Sequence, residues 1–285
     1  MRYQNLYKQY SELDLTNAYD RPVAIDGLQD RILSALRTDG GFGVFDEGKK
    51  KGLLRRSLLW HRGNDTLRLR RIKFPTDRAI SVVPSWSWMA YTGGIDYFTL
   101  PFGGMDWEEM QSPWSTVDTP PYGGGKTGAR RRGSNSNPSN IALVAMARRF
   151  DASLAKAGER LLRLDDPGEQ NPTDPEMDPG VLCVVVGRQN GGMDMPHSAQ
   201  RTGSSLFAVS QPREVKRDNL LNYFLLVKPA EDEKRGNLGV DLLSAQAGSL
   251  GVPKPSSSKL YERVGAGYLP ERCIFKEGAF TVTIH

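Results

Sequence analysis

The sequence predicts an α+β protein dominated by β structure: short N-terminal helices, then a mostly antiparallel sandwich or distorted barrel with long loop insertions. Three observations predict it. Residues 22–37 carry Val23, Ile25, Leu28, Ile32, Leu33 and Leu36 at helical spacing. Further on, apolar runs rich in β-branched and aromatic residues recur, most clearly at 181–186 and 223–228. Between them lie segments dense in Gly and Pro, which number 30 and 18 in 285 residues, a composition at odds with a helical bundle. Residues 1–48 are expected to form a helical segment packed on the core. Residues 49–285 are expected to form a β-rich domain, with flexible inserts at 118–140, 165–180, 189–205 and 231–258.

Taken in order, residues 3–10 read as a short helix or an aromatic docking arm. In the next helix Pro22 suits a first turn, and Gly40-Gly41 supplies a stop. Leu53, Leu54, Leu58, Leu59 and Trp60 fit a short amphipathic helix with Trp60 turned inward. Residues 67–74 alternate as a strand, with Arg68 and Arg70 opposite Leu67 and Leu69. Pro84-Ser85-Trp86-Ser87-Trp88 reads as a strand that places Trp86 and Trp88 on one face and the serines on the other, with Gly93-Gly94 as a hairpin turn. This aromatic pair is the anchor expected of the fold, and Trp107 and Trp114 are expected to extend its core. Residues 141–150 are a strand or short helix. Residues 160–164, 181–186, 206–210, 223–228, 260–269 and 279–284 read as strands. In 260–269 the alternation sets Leu260, Glu262 and Val264 opposite Tyr261 and Arg263, with Glu262–Arg263 open as a buried ion pair within the strand or one exposed pair among many, in either case structural.

Motifs that carry chemistry are scarce. The histidines are His61, His197 and His285; no G-x-S-x-G elbow accompanies them, and no H-E-x-x-H or Cys/His spacing suggests zinc. His61 is expected to cap or pack a helix end. The run 123–128, Gly-Gly-Gly-Lys-Thr-Gly, has Pro120 where a P-loop needs its first glycine. The acids between 165 and 178 lack the glycine and spacing of a calcium loop. No catalytic residue, cofactor or metal is therefore expected. Cys183 and Cys273 lie in apolar runs and read as buried free thiols. The net charge of +5 is mild. Its most basic stretch, 49–73, is expected to be a solvated face rather than a nucleic-acid site. No apolar run approaches the roughly 20 residues of a membrane span, and the first residues lack an apolar leader core. A cytoplasmic location is expected.

Four pieces in a fixed order carry a resemblance. A pattern from Tyr10 of the form YS…LT…DR…A..GL is followed by GLLRRSLLWHR at 52–62, PSWSWMAYTGGIDYF at 84–98 and YERVGAGYL at 261–269. Together they resemble the region that follows the HET domain in fungal heterokaryon-incompatibility proteins. The YxALSYxWG-like motif of the HET domain itself is not in the chain, which resembles a family member without that domain. Any NAD-cleaving chemistry of TIR-type relatives would belong to the missing portion. The resemblance implies an accessory or regulatory role in non-self recognition and cell-death signalling, by protein interaction. The partner would be an own-family HET domain or a related signalling protein. The structural or docking residues it singles out are Trp60, Pro84, Ser85, Trp86, Ser87, Trp88, Tyr261, Glu262, Arg263, Val264 and Gly265. Two other classes stay open: an enzyme with an unrecognised pocket, and a weak nucleic-acid binder acting through 49–73.

Overall fold

The computed structural model describes residues 2–48, 52–64, 66, 68–75, 83–100, 103–114, 141–167, 178–190, 220–230 and 260–285. Among the described residues the class is the expected one, α+β with β structure dominant. The chain opens with α1 (Arg2–Ser11) and α2 (Arg21–Leu36), then a hairpin of β1 (Asp39–Gly41) and β2 (Val44–Asp46), then α3 (Gly52–Leu58). Pro22 stands in the first turn of α2 as expected. The helix stops earlier than Gly40-Gly41, at Arg37, which takes a left-handed φ of 52° and donates its N–H to Leu33 and Ser34 carbonyls. Ile25 is buried, whereas Val23 and Leu36 are exposed, so the helix buries a narrower face than its apolar spacing suggests. Of the two forms expected for residues 3–10, the segment takes the helix, within α1, and not the docking arm. Tyr3 and Tyr7 are buried on α1, with ring centroids 4.9 and 5.9 Å from Phe45.

Four short strands follow: β3 (Trp60–Arg62), β4 (Arg70–Arg71), β5 (Tyr91–Thr92) and β6 (Ile95–Tyr97). Trp60 thus belongs to a strand, not to the helix before it, and of the strand expected at 67–74 the ladder spans Arg70–Arg71; Leu67 lies outside the described residues. β3 pairs with β6 and β4 with β5, so Gly93-Gly94 does not turn a hairpin of adjacent strands. It redirects the chain from one two-stranded ladder to another, and Gly93 takes the φ of +114° that favours glycine.

The remaining strands are β7 (Met105–Trp107), β8 (Met110–Gln111), β9 (Leu143–Arg148), β10 (Leu161–Leu164), β11 (Leu182–Gln189), β12 (Leu221–Pro229), β13 (Leu260–Pro270) and β14 (Phe280–Ile284). β11, β12 and β13 form an antiparallel meander. β14 runs parallel to β13 at Leu260↔Thr283 and Tyr261↔Ile284, and antiparallel to β9. β9 reaches β11 at Cys183↔Arg148 and Val184↔Ala147, which closes a five-stranded barrel. β10 lies along β13, β7 along β11 and β8 along β9. The segments at 118–140, 191–205 and 231–258, and the strand expected at 206–210, lie outside the described residues.

One face of the barrel strands builds the main core, with Leu143, Ala147, Val184, Val186, Leu225, Val227 and Ile284 joined by Leu54, Leu58, Trp86 and Phe98. The opposite face of β11 and β12 is also apolar. It forms a smaller core of Cys183, Val185, Phe224, Leu226, Leu269 and Cys273 beneath Phe150, Leu162 and Leu164. This double burial is why those strands read as continuous apolar runs. Both cysteines are buried and unpaired, as expected, and burial pushes the Cys183 thiol up to about 12. A third core, built from Tyr3, Tyr7, Ile25, Phe45, Trp60, Trp88 and Tyr97, belongs to the N-terminal elements. Among the described residues no helix is long and apolar enough to cross a membrane.

Candidate functional site

The Pro84–Trp88 stretch is a turn followed by a short 3-10 helix, not a strand. Ser87 N–H donates to Pro84 O at 3.0 Å, and Ser87 Oγ accepts from Met89 N–H at 3.0 Å, capping the helix Trp88–Ala90. The same hydroxyl donates to Phe42 O at 2.7 Å. A serine able to satisfy the backbone locally outcompetes the ladder that its alternation suggests. In consequence the two tryptophans share no face. Trp86 enters the main core, edge-on to Phe42 at 6.1 Å and to Trp114 at 5.9 Å. Trp88 enters the N-terminal core, 5.1 Å from Tyr7, and lies so close to Gly43 that a side chain there would strike its indole nitrogen. Trp114 extends the core as expected. Trp107 is half-buried, with the Arg56 guanidinium 5.1 Å from its ring centroid.

Beside this turn the structure brings together residues that the sequence separates by almost two hundred positions. Arg263 N–H donates to Ser85 Oγ at 3.0 Å, Tyr91 Oη donates to Arg263 O at 3.4 Å, and Ser85 Oγ donates to His285 O. The Arg263 side chain is fully buried. Its Nε and Nη2 donate to the two Asp165 oxygens at 3.2 and 3.3 Å, Nη1 to Leu58 O at 2.9 Å, and Nη2 to Trp60 O at 2.6 Å. Its guanidinium carbon sits 3.2 Å from the centroid of the Trp60 ring, and Trp60 Nε1 donates to Trp86 O at 3.0 Å. Asp165 is tied in turn: its N–H donates to Val264 O at 2.9 Å, and its O accepts from Leu69 N–H at 2.8 Å. Burial pushes the Asp165 carboxyl up, and the guanidinium works against that shift.

Glu262 and Arg263 therefore do not pair with each other. Successive residues of β13 face opposite ways, and Glu262 meets Arg71 at 3.6 Å on the surface. The expected alternation holds, with Tyr261 and Arg263 buried and Leu260 exposed. Tyr261 O accepts from His285 N–H at 3.0 Å, which fixes the chain's end to the same strand. Gly265 lies where β10 crosses closest: a Cβ there would collide with Arg163 O and stand 3.0 Å from Leu164 Cα. Asp165, the partner that completes the ion pair, is one of the acids the sequence assigned to a loop. An Asp-Asp-Pro-Gly run, as at 165–168, reads as a turn and carries no signal of burial.

His61 is in β3 rather than at a helix end. Its Nδ1 donates to Arg62 O at 2.7 Å, its ring lies 4.5 Å from Phe98, and burial lowers its pKa to about 4. In the basic segment Arg55 and Arg62 are buried, donating to Glu108 O at 3.1 Å and Thr66 O at 2.6 Å, while Arg68, Arg70, Arg71 and Lys73 are exposed.

The junction around Arg263 is closed to solvent, so it can hold elements together but cannot meet a substrate. A separate cleft of about 180 Å³ opens beside the barrel, lined by Arg148, Arg188, Asn222, Glu271, Ile274 and Lys276. Sequence reasoning missed all six. They come from β9, β11, β12 and the turn after β13: the β11–β12 register sets Arg188 opposite Asn222, the turn carries Glu271, Ile274 and Lys276, and barrel closure adds Arg148. No family model matches the chain, and no curated protein or solved structure matches it.

Proposed function

We propose that the chain is an accessory module of a HET-type fungal incompatibility protein, acting in the cytoplasm by protein interaction in cell-death signalling. One observation supports this reading above the others. The three segments that carry the resemblance with most residues, 52–62, 84–98 and 261–269, supply Trp60, Ser85, Trp86 and Arg263 to one buried junction. Residues that resemble the family are thus those that hold this fold in shape, as a shared architecture requires. Their burial favours a structural use over direct chemistry, which is the pattern of a module that positions other surfaces.

The test is expression in a filamentous fungus of a HET domain alone, and of the same domain joined to this chain, at matched protein levels. The joined chain is expected to change the extent of HET-triggered cell death. Arg263→Met, which opens the junction, should remove that change. Equal cell death with and without the folded chain would overturn the proposal.

A further inference from the structure

The cleft beside the barrel gathers donors from four places in the sequence: Arg148, Arg188, Asn222 and Lys276. Asn222 is 1% exposed, and its Oδ1 accepts from Arg188 Nε at 3.1 Å. A guanidinium can only donate, so the orientation of this amide is fixed. Its Nδ2 is then a buried donor with no acceptor among the described residues. The two arginines are matched only loosely. Arg188 meets Glu108 at 3.4 Å and Glu271 at 3.5 Å, and Arg148 meets Glu108 at 3.8 Å. These distances exceed the roughly 2.7–2.9 Å of a well-formed charge-assisted hydrogen bond. Lys276, 76% exposed in its side chain, holds Glu271 at 2.8 Å. Among the described residues that line or meet the cleft, Arg148, Arg188 and Lys276 thus face the carboxylates of Glu108 and Glu271, three cations to two anions, beside an orphan neutral donor.

The geometry points to a binding site for a phosphate-type oxyanion, either the free ion or a phosphomonoester, seated against Arg188, Lys276 and Asn222 Nδ2. Glu271 is its internal competitor. That carboxylate rests on the same Arg188 and Lys276 groups the anion would use, so it must yield when the ligand enters. Several oxygens on one tetrahedral centre match donors converging from different strands, which a single carboxylate satisfies poorly. This assignment is independent of the signalling role proposed above.

The experiment titrates the full chain with inorganic phosphate, and separately with phosphoserine, at fixed ionic strength balanced by chloride. Binding is read by calorimetry and by the unfolding midpoint, which a ligand of the native state must raise. Saturable binding is expected, weakened about tenfold by Arg188→Gln or Lys276→Gln, the scale of one lost charged hydrogen bond. Glu271→Gln should tighten it, a gain that a merely structural glutamate would not give. Lys276 is exposed, so its variant keeps the test valid if Arg188→Gln fails to fold. Tighter phosphoserine than phosphate would assign the group to a larger ligand, and equal affinity would assign the free ion. Neither ligand exceeding chloride, or binding unchanged in Lys276→Gln, would overturn the site.

Discussion

His61 shows what burial does to a single titratable group. Its Nδ1–H is committed to the Arg62 carbonyl and its ring to Phe98, leaving little to stabilise an imidazolium. The folded pKa of about 4 lies below the ordinary 6.5, so between these values the unfolded chain binds more protons than the folded one. Stability is then complete above pH 6.5 and is lost as pH falls toward 4, by at most about 3 kcal/mol. Asp165, whose carboxyl burial pushes up, contributes in the opposite sense. The His61→Gln variant separates the two. Denaturant midpoints taken from pH 7 to pH 4.5 should fall in the native protein and flatten in the variant. An equal slope in both would show that His61 is not the group responsible.

Among the elements, β13 carries the closest packing, and Gly265 permits it. Adding a Cβ there would drive into the β10 backbone, where no flexible side chain can move aside. Gly265→Ala should cost about 1–3 kcal/mol, and amide exchange should quicken at Leu161–Leu164 as β10 lifts from β13. Gly27→Ala is the control: nothing lies within 4 Å of that position on α2, so the change should stabilise by about 0.5–1 kcal/mol. A silent Gly265→Ala would mean that β10 packs less closely than described. The same elements mark what a sequence reader could and could not see. β11 and β12 were legible because both their faces are apolar, and the alternation of Tyr261 to Val264 was legible because only one face there is fully buried, Glu262 and Val264 being half-buried. Pro84–Trp88 misled because Ser-Trp-Ser-Trp has the period of a strand, while the Ser87 hydroxyl caps a helix instead. Trp60, Ser85, Trp86 and Arg263 stood out through resemblance. Asp165 did not, since nothing local marks a partner 98 residues from Arg263. The cleft was invisible for a similar reason: register and barrel closure bring Arg148, Arg188 and Asn222 to the turn that carries Glu271 and Lys276.

At the scale of the whole molecule, the N-terminal core and the barrel core meet at the junction. Trp86 and Trp88, two residues apart, enter one core each, and Phe42 packs against both. Arg263 reaches from β13 to the carbonyls of Leu58 and Trp60, so a barrel strand holds the end of α3 and the start of β3 in place. Such coupling should make the two cores unfold together, with tryptophan fluorescence and far-ultraviolet dichroism tracing one transition. Arg263→Met removes the guanidinium but leaves Asp165 buried without its cation, a loss of about 3–5 kcal/mol. Most of that penalty belongs to the stranded carboxylate. Arg263→Met combined with Asp165→Leu should therefore recover much of the stability, because an apolar pair of similar bulk carries no such charge. It should not recover the coupling, since the carbonyls of Leu58 and Trp60 would still lack their donor. In the double variant the two probes should separate, the tryptophan signal of the N-terminal core changing before the dichroism of the barrel. Coincident curves in that variant would show that apolar contact through Phe42, Trp86 and Trp88 suffices to join the cores, and that Arg263 adds stability without cooperativity.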